Sequence, residues 1–150
     1  MSNNEQPKPA SVHTKAKNSA VTPPSDAGDF DRAKRGFIAS LPTGRITDAA
    51  GRMVADVNRY DFIRAGGPAP ETVNPSLWRH AQLNAHHGLF EVADGVWQVR
   101  GYDISNITFV KGTEGWVVID PLTTEATARA SYELITAQLG DRPVTAVIYT

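Results

Sequence analysis

Three histidines lie close together in this chain, His80, His86 and His87. A metal site is the first chemistry such a grouping offers, and the spacing works against it. Asn74 is a good helix N-cap, Pro75 fits the first helical position and Gly88 fits the position just past the end, so residues 74–87 read as a helix. On that helix the adjacent His86 and His87 point about 100° apart. His80 and His87 are two turns apart, and no Asp or Glu lies between residues 74 and 87 to complete a ligand set. A packing role near a helix C-terminus suits these imidazoles better, and no metal ligand is assigned within the chain. Three other residues could bear on chemistry. Tyr102 and Asn106 flank a loop between two strands and could line a pocket; the competing reading has Asn106 satisfying turn backbone and Tyr102 packing on a hairpin. Asp120 is a carboxylate at the end of an apolar strand, where it needs hydrogen-bond donors from a neighbouring loop or helix turn.

The elements that must position these groups are legible around Asp120. Gly115 precedes Trp116-Val117-Val118-Ile119, a continuous apolar run that reads as a strand covered on both faces. Asp120-Pro121 ends it, and Pro121 is expected to push Asp120 towards an extended conformation. Leu122 to Leu139 reads as a helix, with Thr123 or Thr124 as N-cap and Gly140 beyond its end. Its polar face is expected to hold Glu125, Arg129, Glu133 and Thr136, and the rest of its girth to be buried. Val144 to Thr150 reads as a second strand, and strand–helix–strand implies parallel pairing. Upstream, Asp94-Gly95 between two alternating runs is a strong hairpin signal, followed by a strand over residues 104–111.

Before residue 74 the signals are weaker. Residues 1–28 are rich in Asn, Ser, Pro, Lys and Thr and almost without large apolar side chains, a composition expected to be disordered. Residues 29–38 look like a short helix with acids first and bases last. Asp48-Ala49-Ala50-Gly51-Arg52 reads as a turn, Tyr60, Phe62 and Ile63 as a packing cluster, and Gly66-Gly67-Pro68-Ala69-Pro70 as a linker.

Ordered blocks across the chain carry a family resemblance. Asn74-Pro75-Ser76-Leu77-Trp78-Arg79, Gly88-Leu89-Phe90-Glu91-Val92, Gln98-Val99-Arg100-Gly101-Tyr102-Asp103-Ile104-Ser105-Asn106, Asp120-Pro121-Leu122 and Val147-Ile148-Tyr149-Thr150 resemble the amino-terminal part of the alkyl sulfatases of the metallo-β-lactamase superfamily. The resemblance implies a mixed α/β fold: the first part of an αββα sandwich over residues 88–150, preceded by a partly helical arm over residues 29–87. It implies zinc-dependent hydrolysis of alkyl sulfate esters by the full-length protein, with two zinc ions bound by a His-x-His-x-Asp-His loop that in the family follows the Tyr-Thr matched by Tyr149-Thr150. The chain stops there, so it alone is expected to be inactive. Asp120 matches the superfamily's strand-end aspartate, which braces that metal loop rather than binding metal; its loop partner is expected to lie outside these residues. Tyr102 and Asn106 become candidates to face the sulfate ester. The resemblance also implies a homodimer. Another hydrolase of the superfamily, acting on a thioester or a lactam, and a non-catalytic interaction module are the alternatives.

Composition agrees with a globular protein and narrows the partners. The chain has 150 residues, 41% of them apolar, and a net charge of −1. It carries no charge excess for nucleic acid, no cysteine for a disulfide or a thiolate metal site, and no apolar run of membrane-spanning length. The start lacks the apolar centre of a secretory signal, so a cytoplasmic location is expected. The strand at 144–149 would leave unpaired apolar backbone at a sheet edge, from which poor solubility or self-association of the isolated chain is expected.

Overall fold

The computed structural model describes residues 8–26 and 28–150. Eight strands and five α-helices occur among them. A six-stranded sheet runs in the order β1 (Phe37–Ala39), β4 (Gly88–Ala93), β5 (Val96–Arg100), β6 (Ile107–Lys111), β7 (Trp116–Ile119) and β8 (Val144–Ile148). All neighbours pair antiparallel except β7 and β8, which are parallel. Helix α5 (Glu125–Leu139) is the crossover that parallel pairing requires. A small hairpin of β2 (Arg45–Thr47) and β3 (Met53–Asp56) stands beside the sheet, its turn at residues 48–52 as expected. The core joins Leu89, Val99, Ile107, Phe109, Trp116 and Val118 of the sheet to Leu134 and Ile135 of α5 and to Ile46 of the hairpin.

The hairpin at Asp94-Gly95 follows the expected chemistry, with Gly95 at φ 75°. So does the start of α4 (Pro75–Asn84): the Asn74 side chain accepts the backbone N–H groups of Ser76 at 2.9 Å and Leu77 at 3.4 Å. Its end does not. The helix stops at Asn84, and Gly88 begins β4, where an added Cβ would stand 2.3 Å from the carbonyl oxygen of Ala39. Glycine is needed there for the approach of β1, not to end a helix.

Other expectations are corrected in the same way. Strand β7 is not covered on both faces; Trp116 and Val118 are buried while Val117 and Ile119 are half-buried, because α5 covers one side of the sheet. Helix α5 starts at Glu125 behind Thr124 as N-cap and buries only the stripe Thr127, Ser131, Leu134 and Ile135. Two of those four carry hydroxyls, and both are satisfied locally: Ser131 Oγ donates to the Thr127 carbonyl at 2.8 Å, and Thr127 Oγ1 donates to Asp103 at 2.8 Å. Strand β6 begins at Ile107, leaving 101–106 as a loop. The helix expected over residues 29–38 is α2 (Gly28–Lys34), and Phe37–Ala39 become β1 because Gly36, at φ 73°, turns the chain onto β4.

Of the segment expected to be disordered, residues 1–7 and 27 lie outside the described residues. Val12–Ser19 form α1 instead, capped by Ser11 and tied to residue 71 by Asn18 at 2.8 Å and Lys15 at 2.7 Å. Contacts across the chain order it without apolar burial. The linker at residues 66–70 is likewise held, since the Gly67 carbonyl accepts Trp78 Nε1 at 3.1 Å and Gln82 Nε2 at 3.2 Å. Among the described residues, no helix is long and apolar enough to cross a membrane.

Candidate functional site

Three segments meet at one end of the sheet: the 101–106 loop after β5, the 120–124 connection after β7, and residues 149–150 after β8. This is the carboxyl end of the parallel pair, the end at which open α/β sheets place their ligands.

Asp120 organises the right-hand side of this end. Its φ is +51°, contrary to the extended conformation expected before Pro121. Its backbone N–H donates to the Ile148 carbonyl at 2.9 Å, and its own carbonyl accepts the N–H of Leu122 at 2.7 Å in a tight three-residue turn, with Leu122 at φ 69°. The two bonds outweigh the preference imposed by proline. Two positive-φ residues that are not glycine, one on each side of Pro121, are strained backbone, of a kind found at functional sites. Within the chain the carboxylate accepts Thr150 N–H at 2.8 Å and Thr150 Oγ1 at 2.6 Å. Those two bonds, the hydroxyl's first, hold its pKa below the ordinary carboxylate value.

Asp103 organises the left-hand side and was not singled out by the sequence. Burial pushes its pKa up, but bonds from the Thr123 hydroxyl and backbone, from Ile104 N–H and from Thr127 hold it below the ordinary value. Thr123 Oγ1 reaches the carboxylate at 2.7 Å, Thr123 N–H at 3.0 Å, Ile104 N–H at 2.7 Å and Thr127 Oγ1 at 2.8 Å. The loop is thereby pinned to the first turn of α5, where a negative charge suits the helix dipole. No local signal links Asp103 to Thr123, twenty residues away.

The other candidate residues separate. Tyr102 is buried, and its Oη accepts the Leu41 N–H at 2.8 Å and lies 3.3 Å from Ser40 Oγ, so its hydroxyl serves the core; burial raises its pKa. Asn106 is exposed and lines an open cleft of about 660 Å³ with Asp103, Ile104, Arg100 and Asp29. His80 is exposed, while His87 Nδ1 is 2.7 Å from Ser40 Oγ and packs near Tyr102 with ring centres 6.2 Å apart. Among the described residues no three His, Asp or Glu side chains gather where they could hold a metal ion. With Asp103 and Asp120 spent on threonines, these donors do not fit a metal centre.

A model of the metallo-β-lactamase superfamily matches residues 100–150, the stretch that carries both aspartates. The solved structure of the stereoselective inverting sec-alkylsulfatase Pisa1 from a Pseudomonas species superposes with a TM-score of 0.85 at 46% identity, covering 93% of this chain and 22% of that one. Over residues 100–150 the chain is thus similar to the metallo-β-lactamase superfamily. Within it, the relatives are alkyl sulfatases. A linear primary-alkylsulfatase of a Pseudomonas species is 48% identical over 149 residues, which is 97% of this chain. The alkyl/aryl-sulfatase BDS1 of Saccharomyces cerevisiae is 47% identical over 128 residues, or 85% of this chain and 20% of its own length. The chain spans about 22% of the length of the two Pseudomonas relatives.

Proposed function

We propose that this chain forms the arm and first sheet of a metal-dependent hydrolase that cleaves alkyl sulfate esters to an alcohol and sulfate. Identity to proteins named alkylsulfatases, at 48% and 46% over nearly the whole chain, carries the reading. The cofactor is zinc, as two ions, which when bound make a hydroxide available near neutral pH. The described residues supply no ligand set for it, so the work assigned to this chain is positional. Asp120 fixes the end of β8 against the end of β7 and braces the metal-binding loop. Asp103 fixes the 101–106 loop against α5, leaving Asn106 exposed on that loop towards the ester's sulfate. Tyr102 supports the same loop from within the core. The homodimer rests on the resemblance and is read by sedimentation of the full-length protein.

Sulfate release from octyl sulfate by the full-length protein tests the activity, with zinc content measured alongside. Turnover is expected to vanish on chelation and return with zinc. Asp120→Ala is expected to lower zinc affinity or turnover about tenfold or more. A zinc-replete protein that releases no sulfate from any alkyl sulfate overturns the reading.

A further inference from the structure

A second cleft, of about 410 Å³, lies towards the opposite edge of the sheet, among the end of α2, β1, the short helix α3 (Asp61–Arg64) and the α4–β4 junction. Its wall is aromatic: Phe37 of β1 and Phe90 of β4 meet edge to face with ring centres 5.4 Å apart. Its rim is basic. Lys34 and Arg64 line it together with His86 and His87, and no carboxylate is among its lining residues. Arg64 also pairs with Asp61, one turn away and mostly exposed.

The histidines register this charge. Burial first, then Lys34 and Arg64, lower the pKa of His86; burial, then Arg64, lower that of His87. His87 uses Nδ1 on Ser40. His86 Nε2 is buried and has no hydrogen-bond partner among the described residues. A buried polar atom in that state calls for a specific explanation, and a bound ligand is one.

Three needs converge here. Two cations want an anion, the imidazole nitrogen wants a polar atom, and the exposed ring of Phe37 wants an apolar body. We propose that this cleft binds a small amphiphilic organic anion, with a sulfonate, sulfate or carboxylate head among Lys34, Arg64 and His86 and a hydrocarbon portion against the exposed ring of Phe37, which Phe90 backs. Three inter-strand spacings, roughly 14 Å, separate β4 from β7 and Asp120. Lys34, Arg64 and Phe37 therefore set this site apart from the Asp120 end, although His86 also lines the cleft beside Asn106, and it stands whether or not the protein hydrolyses sulfate esters.

Titration calorimetry of the full-length protein with octane-1-sulfonate, which has no ester bond to cleave, tests it. One class of binding is expected to weaken at least tenfold in the double variant K34Q/R64Q, with turnover of octyl sulfate unchanged and octan-1-ol failing to occupy that class. Octanoate binding as tightly as the sulfonate would assign carboxylic acids as ligands; the sulfonate alone would assign sulfate-type heads. Both results support the site. Identical isotherms for wild type and K34Q/R64Q overturn it, as does octan-1-ol binding equally well. A second readout needs no variant: in protein labelled with carbon-13 at histidine Cε1, octane-1-sulfonate is expected to shift the His86 signal, and an unmoved His86 overturns the proposal.

Discussion

Strands β4 and β8 are both strongly apolar, and the molecule treats them differently. In β4, Gly88, Leu89 and Phe90 are fully buried. In β8, Val144, Val147 and Ile148 are each exposed by 44–48%. Leu89 lies beneath α5 and the β2–β3 hairpin, and Phe90 lies on the other face beneath Phe37 and the Arg100 guanidinium, 4.5 Å from its ring. Among the described residues, strand β8 has β7 on one side and no comparable cover. Apolar sequence sets the capacity for burial; a covering element decides whether that capacity is used.

Substitutions measured by urea denaturation of the chain sharpen or break this contrast. The largest expected loss is Trp116→Ala, at about 3–5 kcal/mol, because Trp116 is buried against Trp97 and Phe109 with ring centres 5.5 and 6.0 Å away. Gly36→Ala comes next, at about 3 kcal/mol. Its φ is positive and the new Cβ would stand 2.0 Å from the Glu91 carbonyl oxygen, so β1 would have to leave β4. Asp103→Asn is expected to cost about 1 kcal/mol, since its charge-assisted bonds are partly exposed. That loss depends on pH. The folded pKa of Asp103 is lowered, so its contribution is complete above the ordinary carboxylate value of about 3.9 and fades as pH falls through the folded value. Wild type and variant should converge in stability under acid; a constant gap would remove Asp103 from its assigned role. The smallest effect is Val147→Ala, about 0.5 kcal/mol. A loss there comparable to that at Trp116 would break the comparison between covered and uncovered strands.

How much of this was legible depended on the range of each signal. The Asn74 cap, the Asp94-Gly95 hairpin and the parallel β7–α5–β8 unit rest on residues near one another in sequence, and the structure contains all three. Strand β1 has only three residues and gains its identity from a partner far along the chain, so its segment looked helical. The candidate site divided in the same way. Asp120 stood out at the end of an apolar run, but its left-handed φ arises from bonds to Ile148 and Leu122 that override a local rule about proline. Asp103 gave no local sign, because apart from Ile104 its partners, Thr123 and Thr127, lie twenty or more residues along the chain at the start of the next helix. For Tyr102 the sequence left pocket lining and packing both open, and the contacts of its hydroxyl with Ser40 and Leu41 of the arm, some sixty residues away, had no local sign.

The contact between Asp120 and Thr150 also has a place in time. It spans thirty residues, whereas β4, β5, β6 and β7 are joined by short connections and pair antiparallel. Loop-closure entropy favours the meander first, and β8 docks only after α5 has bridged the crossover. A bond formed that late is absent from the rate-limiting ensemble. Its loss should raise the unfolding arm of a chevron plot at unchanged slope and leave the folding arm where it is. Asp120 thus governs how long the β8 edge stays shut, not how fast the chain finds its fold.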